Sequence, residues 1–321
     1  MIDVVTIILF VLLVAVAIAI AYTRDLFAAV MLSGIFSLLC ASLYVIMDAV
    51  DVAFTEAAVG AGISTVLMLI VLNLTSDKES KPVEVKVFPL VVALCMGAAL
   101  IYATGDMPAY GQADTPLHQG DTGQYYIHQS FGDSHIPNSV TTILASYRGY
   151  DTLGETTVVF TAAVAVLLLL GRAIPRKSVL HAVKSDSVAL VGAKMLIPYI
   201  ILFALYVQFH GDFGPGGGFQ AGVMFAAAFI LHGMVRSLRH TRDAAPSGAI
   251  ERLIAFGVLL YGGTGIVCML KGGNFLEYNV LAHDPIHGQH YGIIAIELGV
   301  GIAVFSAMVA IFYKFALRGR P

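Results

Sequence analysis

The sequence predicts an all-α, polytopic membrane protein of about nine transmembrane helices, with its N-terminus outside and its C-terminus in the cytoplasm. Three observations lead there. Of the 321 residues, 58% are hydrophobic and 12% charged, about half the roughly 25% charge of a soluble domain. Apolar runs of about 20 residues, enough to cross a hydrocarbon core of roughly 30 Å, recur along the chain. Lys and Arg collect in alternate segments between those runs, as they do in loops retained on the cytoplasmic side.

The runs fall at 3–22, 26–47, 52–74, 87–104, 154–174, 188–209, 217–238, 249–270 and 291–314. The first follows Met1, Ile2 and Asp3 with no basic residue before it. It also exceeds the roughly 7–15 residues of a cleavable signal's core, so it is expected to stay as a helix. One set of alternate segments holds Arg24, then Lys78, Lys81 and Lys86, then Arg172, Arg176, Lys177 and Lys184. The same set continues with Arg236, Arg239, Arg242 and Arg252, and ends with Lys314, Arg318 and Arg320. Only Arg148 and Lys271 fall on the opposite set, and Lys194 lies inside a run. With Trp absent, Tyr22, Tyr44, Tyr102, Tyr291 and Tyr313 are expected to form the interfacial belt.

Segment 105–153 is the one large predicted loop, external and acidic, with Gly and Pro in its first half and an ordered second half. The basic linker 171–187 divides five helices from four. Three blocks follow: 1–76 with three helices, 77–175 with two helices and the long loop, and 186–321 with four. A net charge of −3 without a basic patch excludes a nucleic-acid partner. Cys40, Cys95 and Cys268 lie within apolar runs, as buried thiols would, and form no metal or disulfide framework. No nucleophile set or cofactor motif is identifiable, so neither enzymatic chemistry nor a cofactor is expected.

The stretch HGDFGPGGGFQAGVMF, residues 210–225, enters the seventh run directly. A phosphate-cradling loop would end in Lys-Ser/Thr and follow a strand, and this one does neither. It reads as a tight external corner, with Gly and Pro supplying unusual dihedrals. Gly218 and Gly222, one turn apart, allow close helix approach.

GDFGPGGGFQAGVM resembles the B subunit of Mrp-type cation/proton antiporters, which carry a similar His-Gly-x-x-x-Pro-Gly-Gly-Gly-Phe-Gln motif. DVAFTEAAVGAGIS (51–64) and NSVTTILASYRGYDTLGE (138–155) resemble the C-terminal part of the large A subunit. The same two elements occur as separate small subunits in membrane-bound hydrogenases related to respiratory complex I. The resemblance implies an A-subunit tail fused to a B subunit, without the large antiporter-like module. It implies work inside a multisubunit complex in a prokaryotic cell membrane, with other subunits, Na+ and H+ as partners. It also assigns Pro215, Gly216, Gly217, Gly218 and Gln220 to the motif.

Ionisable groups at membrane depth cost at least about 2.5–3.5 kcal/mol each and are the default functional candidates. Glu56 shares a stripe of small and polar residues with Gly60 and Ser64, facing protein or water. The related complex I helix carries a π-bulge associated with proton transfer, which adds a relay reading to the structural one. Lys194 lies roughly 10 Å into its helix, one turn before Pro198. It either holds water there or snorkels to the headgroups. Glu297, on a stripe with His290 and Gly301, either serves the ion path or makes a buried helix–helix contact. His210 and Asp212 bracket the corner, for cation uptake or to cap it. His283, His287 and His290 have a metal-like spacing, but Pro285 and Gly288 oppose the helix it needs, and no metal site is expected. Arg148, Asp151 and Glu155 are expected to form a charge cluster pinning the external loop to the helices.

Overall fold

The computed structural model describes residues 2–75, 78–79, 87–109, 111–112, 114–171 and 187–317. The expected linker and several topology-setting bases (Lys81, Lys86, Arg172, Arg176, Lys177, Lys184, Arg318 and Arg320) lie outside these residues. The described residues contain nine helices long and apolar enough to span a membrane. They are α1 (Ile2–Tyr22), α2 (Leu26–Ile46), α3 (Val50–Leu72), α4 (Val87–Thr104), α5 (Gly149–Leu170), α6 (Ser187–His210), α7 (Gly218–Val235), α8 (Ser247–Leu270) and α9 (Pro285–Ala316). The protein is a polytopic helical membrane protein.

α9 is the axis of the fold. Ile293, Ile296, Val300, Val304, Val309 and Phe312 are buried along it, against α5, α7 and α8. Bare backbone sets how closely these helices approach. A Cβ on Gly222 would meet the Gly301 carbonyl at 2.6 Å, and one on Gly257 would meet the Gly299 carbonyl at 2.6 Å. Lipid gives helices no hydrophobic drive to associate, so such small-residue seams supply the contact area. α4 buries none of its residues and α1 buries almost none; their apolar faces suit lipid.

The apolar runs misplace two helix starts, for one reason. α9 begins at Pro285, six residues ahead of the apolar run. Asp284 caps it, accepting from the Ile286 N–H at 3.1 Å. Proline fits a first turn because its missing N–H has no partner there anyway. Pro285 therefore starts the helix that it was expected to oppose. α5 begins at Gly149, ahead of 154, where the buried first residue is held by protein: the Tyr261 hydroxyl donates to the Gly149 carbonyl at 2.8 Å. Polar, protein-facing turns are invisible to hydropathy. The long loop also contains the helix Asp121–Ser134, which its composition did not announce.

Two further expectations fail. Tyr313 is buried, donating to the Ala245 carbonyl at 2.9 Å, so it is no interfacial anchor. Of the thiols, Cys268 is buried but Cys95 is exposed, on α4.

Candidate ion site at the glycine turn

α6 stops at His210 and α7 starts at Gly218, so the corner lies where the sequence places it. Gly216 adopts φ +120°, a region costly for other residues, and its face rests on Val207 and Phe54. Gly211, Gly217 and Gly218 surround Glu297 of α9. A Cβ on Gly217 would stand 2.9 Å from Glu297 Oε1, and one on Gly211 would stand 3.4 Å from it. A Cβ on Gly218 would overlap the Glu297 carbonyl oxygen. The glycines thus form a backbone cradle shaped around one carboxylate.

Two further carboxylates belong to the same turn: Asp212, next to Gly211, and Asp51, bonded to Gly216. Among the described residues, no basic side chain pairs with Glu297. Asp212 is held by His290, with Nδ1 to Oδ2 at 3.1 Å, and His290 lies two turns before Glu297 on α9. Asp51, in the first turn of α3, accepts from the Gly216 N–H at 2.7 Å. Buried Gln220 donates to Thr55 Oγ1 at 3.1 Å, which ties α7 to the same face of α3.

The second half of the long loop closes the cradle from the other side. Asn138 Nδ2 donates to the carbonyls of Gly211 and Gly214, both at 3.0 Å, and its backbone N–H donates to the Asp212 carbonyl at 3.0 Å. Thr141 adds a bond to the Gly211 carbonyl at 2.7 Å. Ser146 reaches Gln289 of α9 at 2.8 Å, and Gln289 continues to Asn279 at 2.8 Å. Three remote parts of the chain therefore fix one turn.

The predicted residues separate into groups. Glu297 and Asp212 come together, with Gly216, Gly217, Gly218 and Gln220 around them and Pro215 exposed at the tip. His210 does not join Asp212; it stacks between Tyr206 and Phe213, with ring centroids at 4.6 and 5.8 Å. Lys194 sits four turns away, roughly 24 Å along α6 at 1.5 Å per residue. It is exposed beside a recess of about 200 Å³ shared with Pro198, His232 and Arg236. Arg148 and Asp151 pair at 2.5 Å, but both are about half exposed, and no bond joins them to Glu155. Asn138 and Thr141 do the pinning expected of that cluster. His287 pairs with Asp284 at 3.1 Å while His290 turns to Asp212, so the histidine run disperses.

Glu56 occupies a different face of α3. Residues 57–64 form a π-helical segment, between α-helical turns Val50–Glu56 and Thr65–Leu72. Thr65 Oγ1 donates to the Gly60 carbonyl at 3.2 Å. A Cβ on Gly60 would lie 2.8 Å from Glu56 Oε1 and 2.7 Å from Ser37 Cβ of α2. Glu56 therefore looks toward α2, and Asp51 with Thr55 looks toward the cradle. Sequence reasoning missed Asp51 and Asn138. The available signal was positional: each opens a family-like motif, Asp51 in the first turn of a helix and Asn138 as a helix cap.

The fold and this site define a class: a polytopic helical membrane protein that holds a carboxylate among glycines. Known proteins place it further. Residues 188–310 match the family described as a domain related to the MnhB subunit of Na+/H+ antiporter. Residues 11–77 match the family of the D subunit of MBH, and residues 86–186 match that of its E subunit. A Staphylococcus haemolyticus protein provisionally assigned as antiporter subunit mnhB2 is 31% identical over 139 residues, 42% of this chain and 96% of that protein. A Rhizobium meliloti protein named as a probable A/B subunit of a K(+)/H(+) antiporter is 27% identical over 320 residues, 90% of this chain but 32% of its own length. The solved Mrp complex from Dietzia sp. contains a chain matched with a TM-score of 0.76 and 28% identity, covering 96% of this chain and 34% of that one. The chain belongs to the MnhB-related family of Mrp-type antiporter subunits. It spans about a third of the length of the longest of these relatives.

Proposed function

We propose that the chain is a membrane subunit of a multisubunit monovalent cation/proton antiporter and that Glu297 in its glycine cradle is a station on the ion path. The observation that carries this reading is that Glu297, Asp212 and Asp51 all belong to the glycine turn, with no basic partner for Glu297 among the described residues. Carboxylates gathered in a poorly hydrated place repel one another, and a proton or a small cation relieves the repulsion. A site that either can neutralise suits exchange of one for the other. Glu56, beside the π-helical segment, serves as a second, separate relay facing α2.

The other subunits of the complex, Na+ or another monovalent cation, and H+ are the partners. The setting is a prokaryotic inner membrane, with the N-terminus outside, the C-terminus inside, and the chain divided at 76 and near 186. Cation-dependent ΔpH in inverted vesicles carrying the whole complex tests the reading. Glu297→Gln is expected to remove most of the exchange while assembly persists; exchange at the wild-type rate in an assembled Glu297→Gln complex would dismiss the carboxylate as a station.

A second reading rests on residues 11–77 and 86–186, which match families of MBH subunits. Here the chain is a membrane-arm subunit of a redox-driven ion pump. The membrane role is unchanged and the redox chemistry resides in partners. Iron, nickel or flavin in the purified complex selects this reading, and their absence from an active complex selects the antiporter.

A further inference from the structure

At the end of the bundle opposite the glycine turn, the short helix Leu238–Ala244 crosses from α7 to α8. Its inner side is sunk in the fold through Leu238 and Thr241, and Thr241 is paired with His232 Nδ1 at 2.7 Å. Arg242 leaves this helix toward the start of α8, where its Nη2 donates to Ser247 Oγ at 3.2 Å. The Nε–H of the same guanidinium is buried with no acceptor, the one side-chain atom so placed among the described residues. A buried donor on a charged group is costly to leave unmade.

Other parts of the Arg242 side chain border open space. A recess of about 380 Å³ opens between Arg242, Ser247, Gly248, Glu251, Tyr313 and Lys314. A second, of about 340 Å³, shares Arg242, Ser247 and Gly248 and adds Arg239 and Asp243. The first has room for about a dozen waters at roughly 30 Å³ each, more than a bare ion requires. Ser247 and Gly248 are the first residues of the 24-residue α8, whose opening turn has no acidic side chain; the Ala249 and Ile250 amides bond to the Pro246 carbonyl, and those of Ser247 and Gly248 precede the helical ladder. Lys314 stands at the rim, 3.8 Å from Glu251 and 3.3 Å from the Gly171 carbonyl. The two acids of the rim, Glu251 and Asp243, are exposed, whereas Arg242 is half-buried. The recess also lies where α8 begins and α9 ends, at the level where spans leave the membrane.

We propose that this recess binds a phosphate group, carried by an anionic lipid headgroup or free in solution, between Arg242, Lys314 and the first turn of α8. Planar guanidinium donors and a helix N-terminus suit phosphate oxygens together.

Native mass spectrometry of the assembled complex with phosphatidylglycerol or phosphatidylcholine tests this, alongside thermal unfolding in inorganic phosphate. Phosphatidylglycerol should be retained over phosphatidylcholine, and Arg242→Gln and Lys314→Gln should each weaken retention about tenfold or more, the scale of one charge-assisted hydrogen bond. Lys271→Gln, at the other end of the bundle, should leave it unchanged. Lys314→Gln changes a different helix and serves if Arg242→Gln fails to assemble. Stabilisation by inorganic phosphate that disappears in both variants, without lipid preference, assigns the site to the soluble ion. Equal retention of both lipids with no phosphate effect overturns the proposal, as does an equal loss in Lys271→Gln.

Discussion

The backbone N–H of Gly216 donates to the Asp51 carboxylate at 2.7 Å, across 165 positions of sequence. Through this bond the first turn of the π-containing helix α3 holds the turn that encloses Glu297. A hydrogen bond to a charged acceptor contributes about 1.5–3 kcal/mol. Asp51→Ala is expected to lower the unfolding midpoint of the complex and to slow exchange. Asp51→Asn, which keeps an acceptor oxygen, should largely restore the midpoint. Equal midpoints for wild type and Asp51→Ala would show that the turn holds itself.

The glycines of the seam should not behave alike. Gly218→Ala drives a methyl into the Glu297 carbonyl, and Gly222→Ala places one 2.6 Å from the Gly301 carbonyl. Overpacking of this kind typically costs about 1–3 kcal/mol, and backbone is the neighbour least able to yield. Both variants should assemble poorly. Gly263→Ala meets open space within α8, so it should be neutral or stabilising by up to about 1 kcal/mol, the helix-propensity difference. Yield of folded complex in detergent separates these cases.

Gly60 and Ser37 form a tight pair beside Glu56. Gly60→Ala should impair assembly or exchange, because the added carbon meets Ser37 and the Glu56 carboxylate together. Ser37→Gly in the same chain should recover part of the loss by vacating one side. Failure of the second change to help would mean that the conformation of the π segment, not the space beside it, requires the glycine. Glu56→Ala should abolish cation-dependent ΔpH with the complex intact; full exchange would remove Glu56 from the path.

Residues 57–64 should also exchange amide hydrogens ahead of Thr65–Leu72. Their wider turns are locally less favourable than the α-helix on either side. Hydrogen-exchange mass spectrometry on the assembled complex reads this directly, and equal protection of the two segments would contradict it.

The long loop should loosen at alkaline pH. The Tyr147 hydroxyl donates to Asp133 at 2.6 Å, and burial, followed by the bond to Asp133, pushes this phenol above its ordinary value. A raised value in the folded state means the contribution is complete below the usual tyrosine range near 10 and disappears as pH rises through the folded value. Cleavage of segment 114–147 by an alkali-tolerant protease should therefore accelerate above that range. In Tyr147→Phe, cleavage should be faster at neutral pH and should lose much of the alkaline acceleration.

The sequence by itself determined the membrane class, the nine spans and the position of the corner at 210–218. It did so because hydropathy over about 20 residues and the conformational demands of glycine and proline are local properties. It also marked Glu56 and Glu297, since a carboxylate within an apolar run needs no structure to be conspicuous. The tertiary structure decided which groups meet: Asp212 with His290 instead of His210, Asp51 with Gly216, and Asn138 in place of Arg148 as the pin. Each successive residue turns about 100° around a helix axis, so Thr55 and Glu56 face different neighbours although they are adjacent in the chain. Which neighbours those faces meet is decided by the packed bundle, and no single segment carries the information.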